Sequence, residues 1–228
     1  MGSQKINSLV AGSLLATGLA CGAGSALAYE AGDIILRAGI ASVQPDESSS
    51  DLELNGADLA GTSAGVDGNE QLGLTGTYML TSNLGLGLLA STPFEHDITA
   101  NGLGVDAGSA KHLPPTLTLQ YFPMDAASDF QPYAGIGINY TAFFDEQVDS
   151  ELETALGSRG DLELDDSIGL ALELGFDYAI DEHWLLNLAV WYIDIETSAD
   201  FKFDNGNRVK ADVDIDPWVY MVGVGYKF

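Results

Sequence analysis

The sequence is poor in cysteine and in basic residues, and each shortage excludes a class of protein. Its 228 residues include one cysteine and 8 lysine or arginine residues, against 34 aspartate or glutamate residues. The formal net charge of −26 argues against nucleic acid as a partner, because phosphate binding needs a basic patch. The cysteine, Cys21, precedes the main part of the chain, so disulfides cannot stabilise that part. Nor does that part contain an apolar run of about 20 residues, the length of a membrane-spanning helix.

The N-terminal segment has the pattern of a secretory signal peptide. Lys5 precedes an apolar run from Leu9 to Ala20, and an A-x-A cleavage motif ends at Ala28. We therefore predict a cleaved signal peptide at residues 1–28 and a single domain at residues 29–228. A transmembrane helix is disfavoured by the glycines of this segment and by the cleavage motif. A lipoprotein anchored at Cys21 is disfavoured because glycine occupies the position where a lipobox usually has leucine.

The last eleven residues alternate strictly between two faces, as in a β-strand. One face is entirely apolar and largely aromatic; it consists of Trp218, Tyr220, Val222, Val224, Tyr226 and Phe228. Seven earlier segments alternate in the same way, at residues 34–40, 72–80, 84–91, 115–122, 133–141, 168–178 and 186–193. In each, one face is almost purely apolar, whereas the other carries the polar residues Arg37, Gln120, Glu173, Asp177 and Asn187. A soluble barrel of the lipocalin type has the opposite arrangement. The pattern predicts an all-β fold, an eight-stranded antiparallel transmembrane β-barrel.

The connections between these segments alternate in length. Short turns are predicted at 81–83, 123–129 and 180–183, and long segments at 43–70, 93–111, 145–166 and 196–210. Short periplasmic turns and long external loops are typical of outer-membrane barrels. We therefore expect the outer membrane of a Gram-negative-type cell, with both termini periplasmic and with membrane lipid and lipopolysaccharide as partners.

The inward face of the predicted barrel carries large apolar side chains. By parity these are Ile35, Met79, Leu89, Phe122, Trp191, Ile193, Val219 and Met221. An eight-stranded barrel is only just wide enough for side chains, so a water-filled porin is not expected. The apolar residues indicate either a dry lumen that suits apolar solutes or a packed core. Trp191 is the candidate gate, because it is the tryptophan whose parity is inward.

Three charged residues share that inward face. Arg37, Glu173 and Asp177 need partners, since an unpaired buried charge costs several kcal/mol. We expect lumen charge pairs that fix the barrel. A polar constriction in a solute path is the alternative.

A second acidic group lies where the alternation continues beyond the membrane. Asp194, Glu196, Asp212, Asp214 and Asp216 face outward on two strands expected to pair. Like charges on paired strands repel, and a divalent cation relieves the repulsion. This predicts weak binding of Ca²⁺ or Mg²⁺; a solvated acidic rim is the alternative.

Catalytic motifs were sought among the histidines. His96, His112 and His183 are dispersed, and no motif places them with serine and aspartate or gives a zinc-ligand spacing. No phosphate-binding or dinucleotide-binding loop is present. We therefore predict that the protein is not an enzyme and needs no cofactor.

Several runs resemble the OmpW family of small outer-membrane barrels. They are Ala31–Gly39, Leu119–Pro123, Tyr133–Asp145, Val190–Thr197 and Val213–Phe228. The resemblance implies an eight-stranded barrel through which small hydrophobic molecules pass passively, with release sideways through the barrel wall. The terminal Phe228, with Tyr226 two residues before it, also resembles the signal that outer-membrane barrels present to the barrel assembly machinery. The alternative function is a non-transporting structural, adhesive or phage- or bacteriocin-receptor barrel that acts through its acidic external loops.

Overall fold

The computed structural model describes residues 28–228, which are almost entirely β-strand. The predicted signal peptide lies outside these residues except for Ala28. The strands in chain order are β1 (Ile34–Gln44), β2 (Ser48–Ser49), β3 (Leu52–Leu54), β4 (Ala57–Leu59), β5 (Ser63–Val66), β6 (Asn69–Met79), β7 (Leu84–Ser91), β8 (Phe94–Asn101), β9 (Val105–Leu113), β10 (Thr116–Tyr121), β11 (Phe130–Val148), β12 (Gly160–Leu164), β13 (Ser167–Ala179), β14 (Trp184–Ile193), β15 (Glu196–Phe203), β16 (Arg208–Asp214) and β17 (Trp218–Lys227). A short helix, α1 (Ser150–Leu156), lies between β11 and β12. No helix within residues 28–228 is long and apolar enough to cross a membrane.

Eight of the strands form a closed antiparallel barrel, which confirms the predicted fold. Around the barrel the order is β10, β7, β6, β1, β17, β14, β13 and β11, and β11 pairs with β10 to close the ring. The first and last strands pair in register, with Leu36 opposite Tyr226. Closure leaves no unpaired edge in the barrel, which is the condition for a β-structure in lipid.

The two faces of each barrel strand differ as the alternation predicts. Outward side chains are large and apolar, and Ile168 is 78% exposed and Ile40 67% exposed. Their inward neighbours are buried, with Ile35 and Met221 at 0%. The exposed apolar face suits contact with lipid chains rather than with water.

The two ends of the barrel are built differently. At one end, tight turns join β6 to β7 and β13 to β14; in the second, the carboxylate of Asp181 accepts the backbone N–H groups of His183 and Trp184. The N-terminal segment lies at this end, where the N–H of Tyr29 donates to the carbonyl of Ala126. Phe228 lies here too, and its N–H donates to the carbonyl of Ile34. We call this the short-turn end and the opposite one the long-loop end.

Most of the residues in the long connections are in strands rather than in irregular loops. The strands β12, β15, β16, β3 and β4 form a second sheet, which β2 joins through β16, while β5, β8 and β9 continue the wall of the barrel. The hairpin β3–β4 turns at Asn55–Gly56, and both residues have positive φ, as in the tight turns that match strand twist. The alternation continues here, with Val209, Ala211 and Val213 buried. The long-loop end is therefore a walled extension of the barrel.

Two barrel strands approach each other closely at a pair of glycines. Gly39 on β1 lies opposite Gly223 on β17. A Cβ atom added at Gly39 would press on the carbonyl oxygen of Val222 and lie 2.6 Å from the Cα of Gly223. Since real Cβ atoms do not come so near to backbone, a side chain here would force the strands apart.

We expect Gly39→Ala to lower the free energy of unfolding by about 1–3 kcal/mol, the usual cost of overpacking. Urea-induced unfolding in lipid vesicles, followed by tryptophan fluorescence, measures it. Gly76→Ala on β6 is the matched control, because its Cβ would meet only the side chain of Leu36, at 3.4 Å. Equal stabilities for the two variants would contradict the close approach.

Candidate functional site

A cavity of about 350 Å³ lies within the walled extension at the long-loop end. Its lining is almost entirely apolar and comes from the second sheet, from α1 and from the strands that continue the barrel wall. Representative lining residues are Leu52, Ile98, Phe143, Leu156, Phe201 and Val213. An apolar space of this size is typical of a site for a small apolar molecule.

Two histidines interrupt the apolar lining. His96 on β8 and His112 on β9 lie on paired strands, and their ring centroids are 4.8 Å apart. Both rings are buried, with His96 6% and His112 3% exposed. Phe94 and Phe143 make edge-to-face contacts with His112, at centroid distances of 5.6 and 5.8 Å. This aromatic packing holds the two imidazoles in place at the wall of the cavity.

Burial keeps both histidines neutral. Desolvation, with a smaller contribution from the neighbouring His96 ring, lowers the pKa of His112 from 6.5 to about 3. Desolvation also lowers the pKa of His96, partly offset by a backbone hydrogen bond from its Nδ1 to the carbonyl oxygen of Asp67. At neutral pH the cavity therefore contains polar nitrogen atoms but no charge.

A buried polar network fills the barrel between its middle and the short-turn end. Arg37 forms an ion pair with Asp177, with both side chains fully buried, and its Nη1 donates to Thr77 Oγ1 at 2.8 Å. Tyr29 donates its hydroxyl to Asp177 at 2.7 Å, and the Asn187 amide donates to Asp177 at 2.9 Å. The carboxylate of Asp177 is therefore satisfied by donors from three residues, as a buried charge requires.

The third predicted lumen charge has different partners. Glu173 accepts hydrogen bonds from Thr118 Oγ1 at 2.6 Å and from Gln120 Nε2 at 2.9 Å. Gln120 in turn accepts from Thr77 at 2.9 Å, which joins Glu173 to the network around Arg37. Of the three charged residues, the structure thus pairs Arg37 directly with Asp177 and connects Glu173 through neutral side chains.

The predicted apolar lumen residues all lie inside the barrel, but none lines the cavity. Trp191 is 1% exposed and lies opposite Val219. The other seven are Ile35, Met79, Leu89, Phe122, Ile193, Val219 and Met221, each 6% exposed or less. Phe122 packs edge-to-face on Tyr29, with ring centroids 5.3 Å apart. These side chains are buried in the hydrophobic core of the barrel, so a path along the barrel axis would require them to move.

The ladder between two neighbouring wall strands is interrupted beside the cavity. β7 pairs with β10 as far as Leu89 and Thr116, and pairing resumes between β8 and β9 at Phe94 and His112. We call the intervening residues, 90–93 and 113–115, the ladder gap. They include three prolines, Pro93, Pro114 and Pro115. Proline has no N–H to donate, so these positions cannot contribute donors to a continuous ladder.

The residues of the ladder gap bond to strands on their other sides. The N–H of Thr92 donates to the carbonyl of Leu72, and the carbonyl of Pro115 accepts from the N–H of Tyr140. The hydroxyl of Ser91 is buried and has no partner among the described residues. The gap is therefore a local interruption of hydrogen bonding between two neighbouring wall strands.

The acidic residues of the predicted cation site are only partly brought together. Glu196 lies opposite Asp214 on paired strands, as expected. Asp216, however, accepts from the hydroxyl of Tyr192 and from the N–H of Ile195, and Asp212 accepts from Ser198 at 2.6 Å. Asp194 adds no third ligand: across residues 28–228, no three His, Asp or Glu side chains converge as ligands for a metal ion. The structure of residues 28–228 thus shows no set of converging ligands that would support the hypothesis of divalent-cation binding.

The sequence model of the OmpW family matches residues 30–228. The chain belongs to the OmpW family. Outer membrane protein W of Vibrio cholerae is 47% identical over 206 residues, covering 88% of this chain and 91% of that protein, and the Escherichia coli protein of the same name is 46% identical over 205 residues, covering 90% and 92%. The crystal structure of OprG, an outer membrane protein of Pseudomonas aeruginosa, superposes with a TM-score of 0.84 at 51% identity, covering 89% of this chain and 99% of that one. This OmpW-family member is accordingly a β-barrel protein of the outer membrane, embedded in its lipid bilayer.

The alternation that predicted the barrel did not reveal the cavity or the histidine pair. Part of the signal was present, since the buried residues of β15 and β16 alternate with charged residues or serine. The contact between His96 and His112 could not be predicted from the sequence, because it depends on the register of the β8–β9 hairpin. A one-residue bulge, in which Ile98 lies opposite Gly108 but Thr99 opposite Asp106, breaks the alternation there.

Proposed function

We propose that this OmpW-family protein lets small hydrophobic molecules cross the outer membrane passively, without covalent chemistry. The observation that carries the proposal is the apolar cavity at the long-loop end, which we take to face the outside. A molecule that enters there leaves water for an apolar surface, which favours binding by about 25 cal/mol per Å² of apolar area buried.

The continuation of the path is proposed to be sideways, through the ladder gap. Three features support this route. The polar network and the packed side chains around Trp191 close the barrel axis below the cavity. His112 both lines the cavity and marks the residue where the ladder resumes. Beyond the gap lies lipid, into which an apolar solute partitions favourably.

A disulfide across the ladder gap tests this route. Ala90→Cys with Pro115→Cys continues the register of Leu89 opposite Thr116, and no other cysteine follows Cys21. Gram-negative cells carrying the protein are mixed with the apolar dye N-phenyl-1-naphthylamine, and its entry is followed by fluorescence. We expect oxidation of the pair to abolish the protein-dependent entry and reduction to restore it.

The matched control is Leu88→Cys with Leu117→Cys, two residues that already face each other in the intact ladder. That disulfide leaves the gap open and should leave dye entry unchanged. Trp191→Ala separates the routes: faster entry in this variant, together with no effect of the gap disulfide, would place the path along the barrel axis and Trp191 as its gate.

A second candidate function is favoured by the packed barrel interior. A barrel with a filled core can serve as a scaffold, adhesin or phage or bacteriocin receptor whose acidic outer surface meets the partner. Wild-type cells that admit the dye no faster than cells without the protein would support that function and contradict passage. Lipopolysaccharide around the rim and the assembly machinery at Phe228 remain proposed partners under either function.

A further inference from the structure

The histidine pair leaves two hydrogen-bonding nitrogens unused at the cavity wall. The Nε2 atoms of His96 and His112 are both buried and have no partner among the described residues. An unpaired polar atom in an apolar site costs about 1–3 kcal/mol. A ligand that reaches both atoms would recover that energy, so the pair indicates what kind of polar group the cavity selects.

The hydrogen bond on the other side of His96 determines what its Nε2 can do. Nδ1 of His96 contacts the carbonyl oxygen of Asp67, and a carbonyl oxygen only accepts. Nδ1 must therefore carry the proton, and in a neutral imidazole this leaves Nε2 as an acceptor. His112 has no such constraint on its Nε2, which in the other tautomer is a donor. The pair can thus present one acceptor and one donor to the same ligand.

We propose that the cavity selects neutral apolar molecules that carry one hydroxyl group, namely alcohols and phenols. The hydroxyl donates to Nε2 of His96 and accepts from Nε2–H of His112, while the rest of the molecule occupies the apolar space. Alcohols and phenols are thus the proposed substrate class of the cavity. The inference rests on the proposed function in one respect, namely that the molecule bound in the cavity is the molecule that crosses the membrane.

Carboxylates and plain hydrocarbons fit the pair less well. A carboxylate offers only acceptors, so it cannot satisfy Nε2 of His96, and it would enter an uncharged site in a chain of net charge −26. A hydrocarbon leaves both nitrogens unpaired. Sites built to bond a hydroxyl reject analogues that lack it for this reason.

A pair of probes that differ only in the hydroxyl tests the proposal. 2-Naphthol and naphthalene are titrated into the ¹⁵N-histidine-labelled protein in lipid nanodiscs, and affinities are corrected for partition into empty nanodiscs. We expect 2-naphthol to move the Nε2 resonance of His96 and to bind at least about tenfold more tightly than naphthalene, because its hydroxyl makes two hydrogen bonds and about 1.4 kcal/mol corresponds to a factor of ten. Naphthalene should leave that resonance nearly unmoved. His183, which stacks on Tyr226 at the short-turn end, provides the internal reference.

Variants locate the effect. His96→Phe should reduce the preference, because only the hydrogen bond to His112 remains, and His96→Phe/His112→Phe should remove it; both variants should retain affinity for naphthalene as evidence that the cavity is intact. His183→Phe should change neither affinity. Equal corrected affinities in the wild type, or a preference that survives in His96→Phe/His112→Phe, would overturn the proposal. Because the titration measures binding without transport, tight binding of 2-naphthol in a protein that admits no dye would refute the proposed passage and leave the selectivity standing.

Discussion

Arg37→Met is expected to lower the free energy of unfolding by about 3–5 kcal/mol, the usual cost of breaking a buried ion pair by removing one partner. Methionine replaces the aliphatic part of the side chain but leaves the carboxylate of Asp177 without its cation. That carboxylate is fully buried, so water cannot replace the lost partner. Thr77 also loses the donor from Nη1 of Arg37. Urea-induced unfolding in lipid vesicles measures the change.

Two further variants make this prediction specific. Lys111→Met removes the exposed ion pair with Asp145, whose side chains are 36% and 59% accessible, and should cost about 0–1 kcal/mol. The double variant Arg37→Met/Asp177→Leu removes both charges together and should recover part of the loss, because no Asp177 carboxylate is then left without its cation. A loss in Arg37→Met no larger than in Lys111→Met would show that the pair does not hold the barrel together.

The ion pair between Arg37 and Asp177 shows which features of the barrel interior can be predicted from the sequence. Alternation with period two put Arg37, Glu173 and Asp177 on the inward face, because lipid on one side of a strand and packed side chains on the other impose opposite chemistry at successive residues. The alternation does not indicate, however, whether Arg37 pairs with Glu173 or with Asp177. The choice depends on height in the barrel and on cross-strand neighbours: Glu173 lies beside Thr118 and Gln120, and these satisfy it without a cation.

The cavity was beyond prediction for a different reason. Its walls come from segments that are far apart in the chain, such as β3, β8, β12 and β16, and their meeting is a property of the closed fold. The bulge at Ile98–Thr99 adds a local obstacle, since Ala107 and Ala110 both face inward although their parities differ. The part of the candidate site that is hardest to predict from the sequence is therefore the β8–β9 hairpin, which carries the polar atoms of His96 and His112.

The hairpin β8–β9 is expected to open as the pH falls below 6.5. The ordinary pKa of His112 is 6.5 and burial lowers it to about 3 in the folded protein. Above pH 6.5 both forms are neutral and the folded state has its full stability. Between 6.5 and about 3 the opened form takes up a proton that the closed form cannot, so the closed form loses stability. At pH 4.5 the loss amounts to about 3 kcal/mol, since each pKa unit is worth about 1.4 kcal/mol.

Hydrogen exchange of the β8–β9 amides at pH 7 and pH 4.5, corrected for intrinsic exchange rates, measures that opening. His112→Phe is the matched variant: it keeps an aromatic ring between Phe94 and Phe143 but cannot take up a proton. The carboxylates around the hairpin, Asp67, Glu95, Asp97 and Asp145, are present in both proteins, so the difference between the two isolates the histidine. Because the depressed pKa of His96 acts in the same direction, the variant should retain a smaller acid sensitivity than the wild type. An identical pH dependence in both would mean that His112 takes up its proton in the closed hairpin, and that the cavity wall admits water.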